Sequence, residues 1–236
     1  MGKLYIISTP IGNLEDISLR AIRVLQEVDI IASEDTRKTG LLMKQIRTKG
    51  IEKPQRFVSY FEHNEETRIF EIVGYLKEGF DVALVSNAGT PTISDPGFKL
   101  VRECISQGIV IEAVPGPSAI LTALVVSGLP TDKFFFLGYL PKKNGKKKEL
   151  FETASKLLSN ESTVSNLTFI FYESQYRLIE TLELLKQIFG DIDIVIGREL
   201  TKVHEEIRRE KVSDSLKHFQ QTKLLGEFTV LFNLSS

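Results

Sequence analysis

The chain is most informative first in what it lacks. It has one cysteine, Cys104, among 236 residues, so no disulfide can form within it and nothing demands an oxidising compartment. That cysteine sits in a helical pattern (97–107) and reads as a small buried hydrophobe. No apolar run is long enough to span a membrane, and the one in MGKLYIISTP is too short for a secretory signal. A cytoplasmic protein without a membrane partner is expected. Charge of either sign is not in excess: Lys plus Arg number 30 against 31 Asp plus Glu, a formal net charge of −1. This argues against a generally basic nucleic-acid binder but permits a local basic patch. The dinucleotide fingerprint is missing, because Thr9-Pro10-Ile11-Gly12-Asn13 holds a single glycine, and there is no P-loop and no G-x-S-x-G elbow. His63, His204 and His218 are scattered and the cysteine has no neighbouring ligand, so no metal is expected. Hydride transfer, nucleotide hydrolysis, serine hydrolysis and zinc catalysis are all poorly supported.

What is present is alternation. Hydrophobic residues make up 42% and charged residues 26%, as in an ordinary globular protein. Apolar runs at Leu4–Ile7, Val28–Ala32, Phe57–Tyr60, Val82–Val85 and Val110–Val114 read as strands. Between them lie helical patterns: Leu19, Ile22 and Leu25 after a Ser18 cap, then Leu41, Leu42 and Ile46, then Ile69, Ile72, Val73 and Leu76 after an Asn64 cap. Asp95-Pro96 reads as the start of a further helix, a capping side chain followed by a proline in the first turn. Past residue 118 come a helical run at Ala119–Val126, strands at Phe134–Leu137, Phe169–Tyr172, Ile194–Ile196 and Phe228–Leu234, and a helix over 175–189. Lys142, Lys143, Lys146, Lys147 and Lys148 read as an exposed basic loop, and the stretch before the last strand reads only as charged. Strands alternating with helices imply an α/β protein with a mostly parallel sheet. A boundary near 115–120 gives domains 1–117 and 118–236.

The centre of the pattern is VALVSNAGTPTISDPG at Val82–Gly97, a buried strand opening into a loop of small residues. In open α/β sheets, ligands sit beyond the carboxyl ends of such strands, and small residues let backbone approach a ligand closely. A cofactor is expected there.

Seven stretches then fall into one order: TPIGNLEDIS (9–18), EDTRKT (34–39), HNE (63–65), AGTPTISDPG (88–97), VPGPSA (114–119), SGLP (127–130) and RELTK (198–202). Together they resemble the ribosomal RNA small subunit methyltransferase I family, a branch of the tetrapyrrole methylases. The resemblance implies two α/β domains of tetrapyrrole-methylase type with the cofactor cleft between them. It implies S-adenosylmethionine as cofactor and 2′-O-methylation of a cytidine ribose in the decoding region of small-subunit RNA. The expected partners are that RNA or the assembled small ribosomal subunit, and a second copy of the chain in a homodimer. By the same resemblance Pro10, Ser86, Asn87, Ala88, Gly89, Thr90, Ser94, Ser118, Ala119, Tyr172, Glu173 and Ser174 line the cofactor pocket.

The substrate side follows from charge. The five lysines of 142–148 and Arg37 are expected to meet RNA phosphates, and Arg208, Arg209 and Lys211 form a second basic candidate. For the proton acceptor, Lys202 and Asp35 rank above His63, and Glu199 is expected to orient Lys202 or Arg37. Ion-pair and capping roles compete with each of these. Two other functions fit the same fold: methylation of a tetrapyrrole, whose enzymes usually carry a more glycine-rich first loop, and a non-catalytic RNA-binding assembly protein. One departure stands out. The family typically has Ser-Asp-Ala-Gly where this chain has Ser86-Asn87-Ala88-Gly89, which removes a charge facing a sulfonium but keeps a hydrogen-bond acceptor. A mild effect on cofactor affinity is expected.

Overall fold

The computed structural model describes residues 1–47, 53–159 and 166–234, and the chain divides into two compact units, Met1–Ser118 and Ala119–Ser236. In the first, strands β1 (Leu4–Ile7), β2 (Ile30–Ser33), β3 (Arg56–Ser59), β4 (Val82–Val85) and β5 (Ile111–Val114) alternate with helices α1 (Leu19–Glu27), α2 (Thr36–Ile46), α3 (Glu65–Glu78) and α4 (Phe98–Ser106). All four pairings are parallel, in the order β3-β2-β4-β1-β5. The central strands are apolar without interruption because both faces are covered. Val82 and Leu84 pack with Ile69, Ile72, Leu76 and Leu100 from α3 and α4, while Ala83 and Val85 pack with Leu25 and Met43 from α1 and α2. Cys104 is buried in the first of these clusters, and burial pushes its thiol up to about 11.

Helix starts follow the expected caps in part. The Ser18 hydroxyl accepts from the Ala21 amide at 3.1 Å. Asn64 holds the cap position of α3, but its side chain works on the preceding loop instead, accepting from the Phe61 amide (2.8 Å) and donating to the Ser59 carbonyl (3.0 Å). Asp95-Pro96 does not open a helix, since α4 begins at Phe98 behind Gly97, which has φ +136°. Packing sets that boundary: a Cβ on Gly97 would lie 2.7 Å from Leu84 Cδ2 and 2.9 Å from Thr92 Cγ2. The turn is laid so closely on β4 that only glycine can enter the helix there.

The second unit departs from a mostly parallel sheet. Its elements are α5 (Ala119–Ser127), β6 (Phe134–Tyr139), α6 (Asn144–Ser159), β7 (Thr168–Ser174), α7 (Leu178–Phe189), β8 (Asp193–Arg198), β9 (Glu206–Lys211), α8 (Val212–Gln221) and β10 (Glu227–Phe232). The sheet order is β6-β7-β10-β8-β9, with only β6 and β7 parallel. Phe169 stacks on Phe232 at 5.2 Å, and Phe151, Phe171 and Phe189 close around them. Strand β9 and helix α8 occupy the stretch that reads as merely charged. An edge strand carries charges where a central one would carry apolar residues. Here they pair along the edge, Arg208 with Glu206 (3.1 Å) and Glu210 (2.6 Å), and Lys211 with Asp193 (2.7 Å).

Candidate active site

Five loops of the first unit lie at the carboxyl ends of its strands. The loop after β4 is central, as its strand is. On its β1/β5 flank it is tied down: Thr9 and Gly89 exchange amide–carbonyl hydrogen bonds at 2.9 and 3.0 Å. The Thr9 hydroxyl donates to the Ser86 carbonyl (3.3 Å), the Ser8 and Thr90 hydroxyls are 3.0 Å apart, and Thr90 donates to the Pro117 carbonyl (3.1 Å). Approach is close here, since a Cβ on Gly116 would lie 3.0 Å from that of Ser8. Further along, Thr92 and Ser94 adopt φ of +73° and +61°, backbone that a non-glycine residue holds only when its surroundings enforce it. The end of this loop is pinned by Glu65, whose Oε1 accepts from the buried Tyr60 hydroxyl (2.8 Å) and from the Gly97 amide (3.1 Å). Burial raises the Glu65 pKa, but the hydrogen bonds from Tyr60 and Gly97 and the Lys99 ammonium outweigh it, and the net shift is downward.

On the β2/β3 flank the loop borders open space. A cavity of about 460 Å³ is lined by Glu34, Asp35, Thr36, Arg37, Ser59, Phe61 and Asn87. Asp35 caps α2, accepting from the Arg37 amide at 3.0 Å, and its two oxygens also take the Arg37 guanidinium at 3.1 and 3.0 Å. These hydrogen bonds from Arg37 hold the Asp35 carboxyl at about 2. Three buried side-chain atoms among the described residues find no partner: Ser33 Oγ at the end of β2, and Ser86 Oγ and Asn87 Oδ1 at the end of β4. Buried polar atoms are normally hydrogen-bonded, and left unmade each costs about 1–3 kcal/mol. Orphans at the ligand-binding edge of an α/β sheet point to a ligand that completes them.

The chain matches the tetrapyrrole (corrin/porphyrin) methylase family over residues 3–215. Ribosomal RNA small subunit methyltransferase I of Thermotoga maritima is 48% identical to it over 233 residues, covering 99% of each chain. The protein of the same name from a Hydrogenobaculum species is 43% identical over 232 residues, 98% of this chain and 95% of its own. The chain belongs to the ribosomal RNA small subunit methyltransferase I family of tetrapyrrole methylases. The solved uroporphyrin-III C-methyltransferase of Thermus thermophilus, complexed with S-adenyl homocysteine, shares the fold. It has a TM-score of 0.64 and 16% identity, covering 99% of this chain and 98% of its own.

With the family settled, the remaining candidates can be weighed by their surroundings. Lys202 follows β8 and donates to Glu199 (2.8 Å) and Glu227 (2.9 Å). Burial lowers its pKa, but the hydrogen bonds and charges of those two carboxylates overcome this and raise it. A lysine held as the cation has no lone pair with which to take a proton, and Asp35, engaged by Arg37 with its pKa drawn down to about 2, is a weakened base. Glu199 accepts from Lys202 and also from the Glu227 amide (3.0 Å), in a turn so tight that a Cβ on Gly226 would lie 2.5 Å from its Cγ. His63 is exposed and meets the Phe61 ring edge-on.

Two cofactor and RNA candidates also change standing. Glu173, at the end of β7, is wholly enclosed: Oε1 takes the Ser174 amide and Arg177, both at 2.8 Å, and Oε2 takes the Thr181 hydroxyl at 2.7 Å. With both oxygens committed it positions its neighbours Tyr172 and Ser174. Lys147 is not on an exposed loop. Helix α6 begins at Asn144, and Lys147 is fully buried with its ammonium on the Thr181 hydroxyl (2.9 Å), out of reach of a phosphate. Lys142, Lys143, Lys146 and Lys148 are exposed. Of the second basic candidate, Arg208 and Lys211 are paired along β9, and Arg209 donates to the Val126 carbonyl at 3.0 Å. Pro10, Ser118 and Ala119 are half-buried, while Ala88 and Ser94 are exposed. Glu34, Ser59 and Phe61, which line the cavity, are not among the site residues expected from the sequence, where Glu34 reads as a member of a loop-holding ion-pair network with Asp35 and Arg37.

Proposed function

We propose that the chain methylates RNA of the small ribosomal subunit, using S-adenosylmethionine, at the 2′-hydroxyl of a cytidine. The carrying observation is 48% identity over the whole length to a protein named for that RNA. In such a transfer the carbon–sulfur bond of the cofactor breaks, its electron pair stays on sulfur, and the acceptor oxygen gains the methyl group and loses its proton. The chain must therefore supply a cofactor cradle, an acceptor pocket and a site for that proton, and needs no metal for any of them.

The orphaned Ser86 hydroxyl and the close-packed loops around Thr9, Gly89, Thr90 and Gly116 fit a cofactor bound largely by backbone and small polar groups. Pro10, Ser86, Ala88, Gly89, Thr90 and Ser118 of the first unit would hold it. The exposed cations Arg37, Lys142, Lys143, Lys146 and Lys148 would meet phosphates. The lysines at the start of α6 oppose the helix dipole, an arrangement that costs stability and is understandable where an anion binds. The reading also makes the protein a cytoplasmic homodimer, and light scattering of the purified chain at twice the 26.6 kDa monomer mass checks the latter.

The test is incubation of unmodified small subunits with methyl-labelled cofactor, followed by nuclease digestion. Label recovered as 2′-O-methylcytidine is expected. Label appearing in a porphyrinoid instead would favour the tetrapyrrole reading, and subunit binding without transfer would favour an assembly role.

A further inference from the structure

The loop after β4 has two unlike flanks. Toward β1 and β5 it is bonded to its neighbours through Thr9, Gly89 and Thr90. Toward β2 and β3 it faces the cavity of about 460 Å³, and the residue it presents there is Asn87, with a buried and unpartnered Oδ1. The volume is within the usual range for small-molecule sites, about 300–1,000 Å³.

The lining has a definite chemistry. Asp35 is saturated by Arg37. Glu34 takes no hydrogen bond or ion pair among the described residues, so the cavity keeps two open acceptors, the Glu34 carboxylate and Asn87 Oδ1. Phe61 supplies an aromatic wall beside them. Two acceptors and a ring select a flat ligand that carries donors. An unstacked nucleotide of single-stranded RNA is such a ligand: its base stacks on aromatic side chains, and it offers a ribose 2′-OH and, in cytidine, an exocyclic amine.

Resting on the methyl transfer to RNA proposed above, we infer that this cavity receives the acceptor nucleotide. Its base lies on Phe61 with the amine on Asn87 Oδ1, and its 2′-hydroxyl meets Glu34. The assignment of the two acceptors follows from their chemistry. A carboxylate can take the proton that the 2′-oxygen loses as its bond to the methyl carbon forms, whereas an amide oxygen can only receive a hydrogen bond from a group that keeps its proton. Glu34 is then a catalytic residue absent from the candidates drawn from sequence. Asn87 moves from the cofactor to the acceptor, and the replacement of the family's aspartate keeps the one feature the pocket uses, an acceptor oxygen.

Three full-length variants test this with small ribosomal subunits: cofactor affinity by calorimetry, subunit affinity by filter binding, and turnover with label. Glu34→Gln is expected to lower kcat by about 100-fold or more while leaving both affinities within about threefold. Asn87→Leu is expected to weaken subunit binding about tenfold with cofactor affinity unchanged, and Asn87→Asp to stay near the parent in both. Wild-type turnover in Glu34→Gln, or a loss in Asn87→Leu that falls on the cofactor instead of the subunit, overturns the assignment. Intact cofactor binding shows that each variant is folded. If the parent protein itself transfers no label to RNA, the proposed function fails and this inference falls with it; a labelling parent with unaffected variants overturns the pocket alone.

Discussion

The two units treat buried polarity in opposite ways. In the first, Ser33, Ser86 and Asn87 end in atoms with no partner, all at the carboxyl edge of the parallel sheet. In the second, the most enclosed charges are closed on themselves. Lys147 donates to Thr181, Thr181 to Glu173, and Arg177 to both Glu173 and the Leu140 carbonyl (2.9 Å), so the β6–α6 connection, the end of β7 and α7 are held by one chain of bonds. A satisfied network specifies and rigidifies a fold, whereas an unsatisfied one is an expense that some bound state repays. The contrast separates scaffold from site more sharply than residue type does, since glutamate, serine and lysine occur on both sides of it.

The contrast predicts unequal consequences. Glu173→Ala should be the most damaging change, leaving Arg177 and the Thr181 hydroxyl without their shared acceptor; breaking a buried charge pair typically costs about 3–5 kcal/mol. Urea unfolding measures it, and a loss below about 1 kcal/mol would mean the network is not structural. Gly97→Ala comes next. The new Cβ meets Leu84 and Thr92 at φ +136°, so about 1–3 kcal/mol of stability should go, and cofactor affinity should fall with it as the β4 loop shifts. Unchanged affinity would separate the loop's geometry from the site.

Legibility in the sequence followed the same division. The first unit was readable because its central strands are buried on both faces: Val82–Val85 and its neighbour Ile30–Ser33 are buried at every position. The second unit hid β9, because Glu206–Lys211 is an edge whose charges pair along the strand and leave no period of apolar residues. Lys147 was misread for a related cause. Five lysines within seven residues look like solvent-facing charge, and only the start of α6 at Asn144 turns one of them inward onto Thr181. The site motifs were visible as small-residue loops, but which members touch a ligand depends on bonds that spacing does not encode. Asp35 and Lys202 have the chemistry of proton carriers, yet each spends it on a neighbour, while Glu34, beside Asp35 in the chain, does not.

Deleting an orphan should cost the fold almost nothing, and this sharpens the comparison further. Ser33→Ala and Ser86→Ala each remove an unpaired buried hydroxyl, so ligand-free stability should stay within about 0.5 kcal/mol of the parent or rise by up to about 1 kcal/mol. Ser86→Ala should nevertheless weaken cofactor binding several-fold by calorimetry. A loss of 2 kcal/mol or more in the ligand-free protein would show that these atoms are bonded after all.

The smallest effect is a pH dependence at the rim of the cavity. The hydrogen bonds from Arg37 draw the folded Asp35 carboxyl from its ordinary 3.8 to about 2. A depressed carboxyl stabilises the fold fully above its unfolded value and loses that contribution as pH falls through the folded one, so the window lies between about pH 4 and pH 2. Asn can replace Asp as a helix cap, so Asp35→Asn keeps the cap on α2 and removes only the ionisation. Other lowered carboxyls, Glu65 and Glu199 among them, titrate alike in both proteins and cancel in the difference. The urea midpoint of the parent should therefore fall slightly further than that of the variant between pH 5 and pH 2. Equal falls would mean that Arg37 is not anchored on Asp35 in solution, and that the cation at the cavity rim moves independently of the helix that carries it.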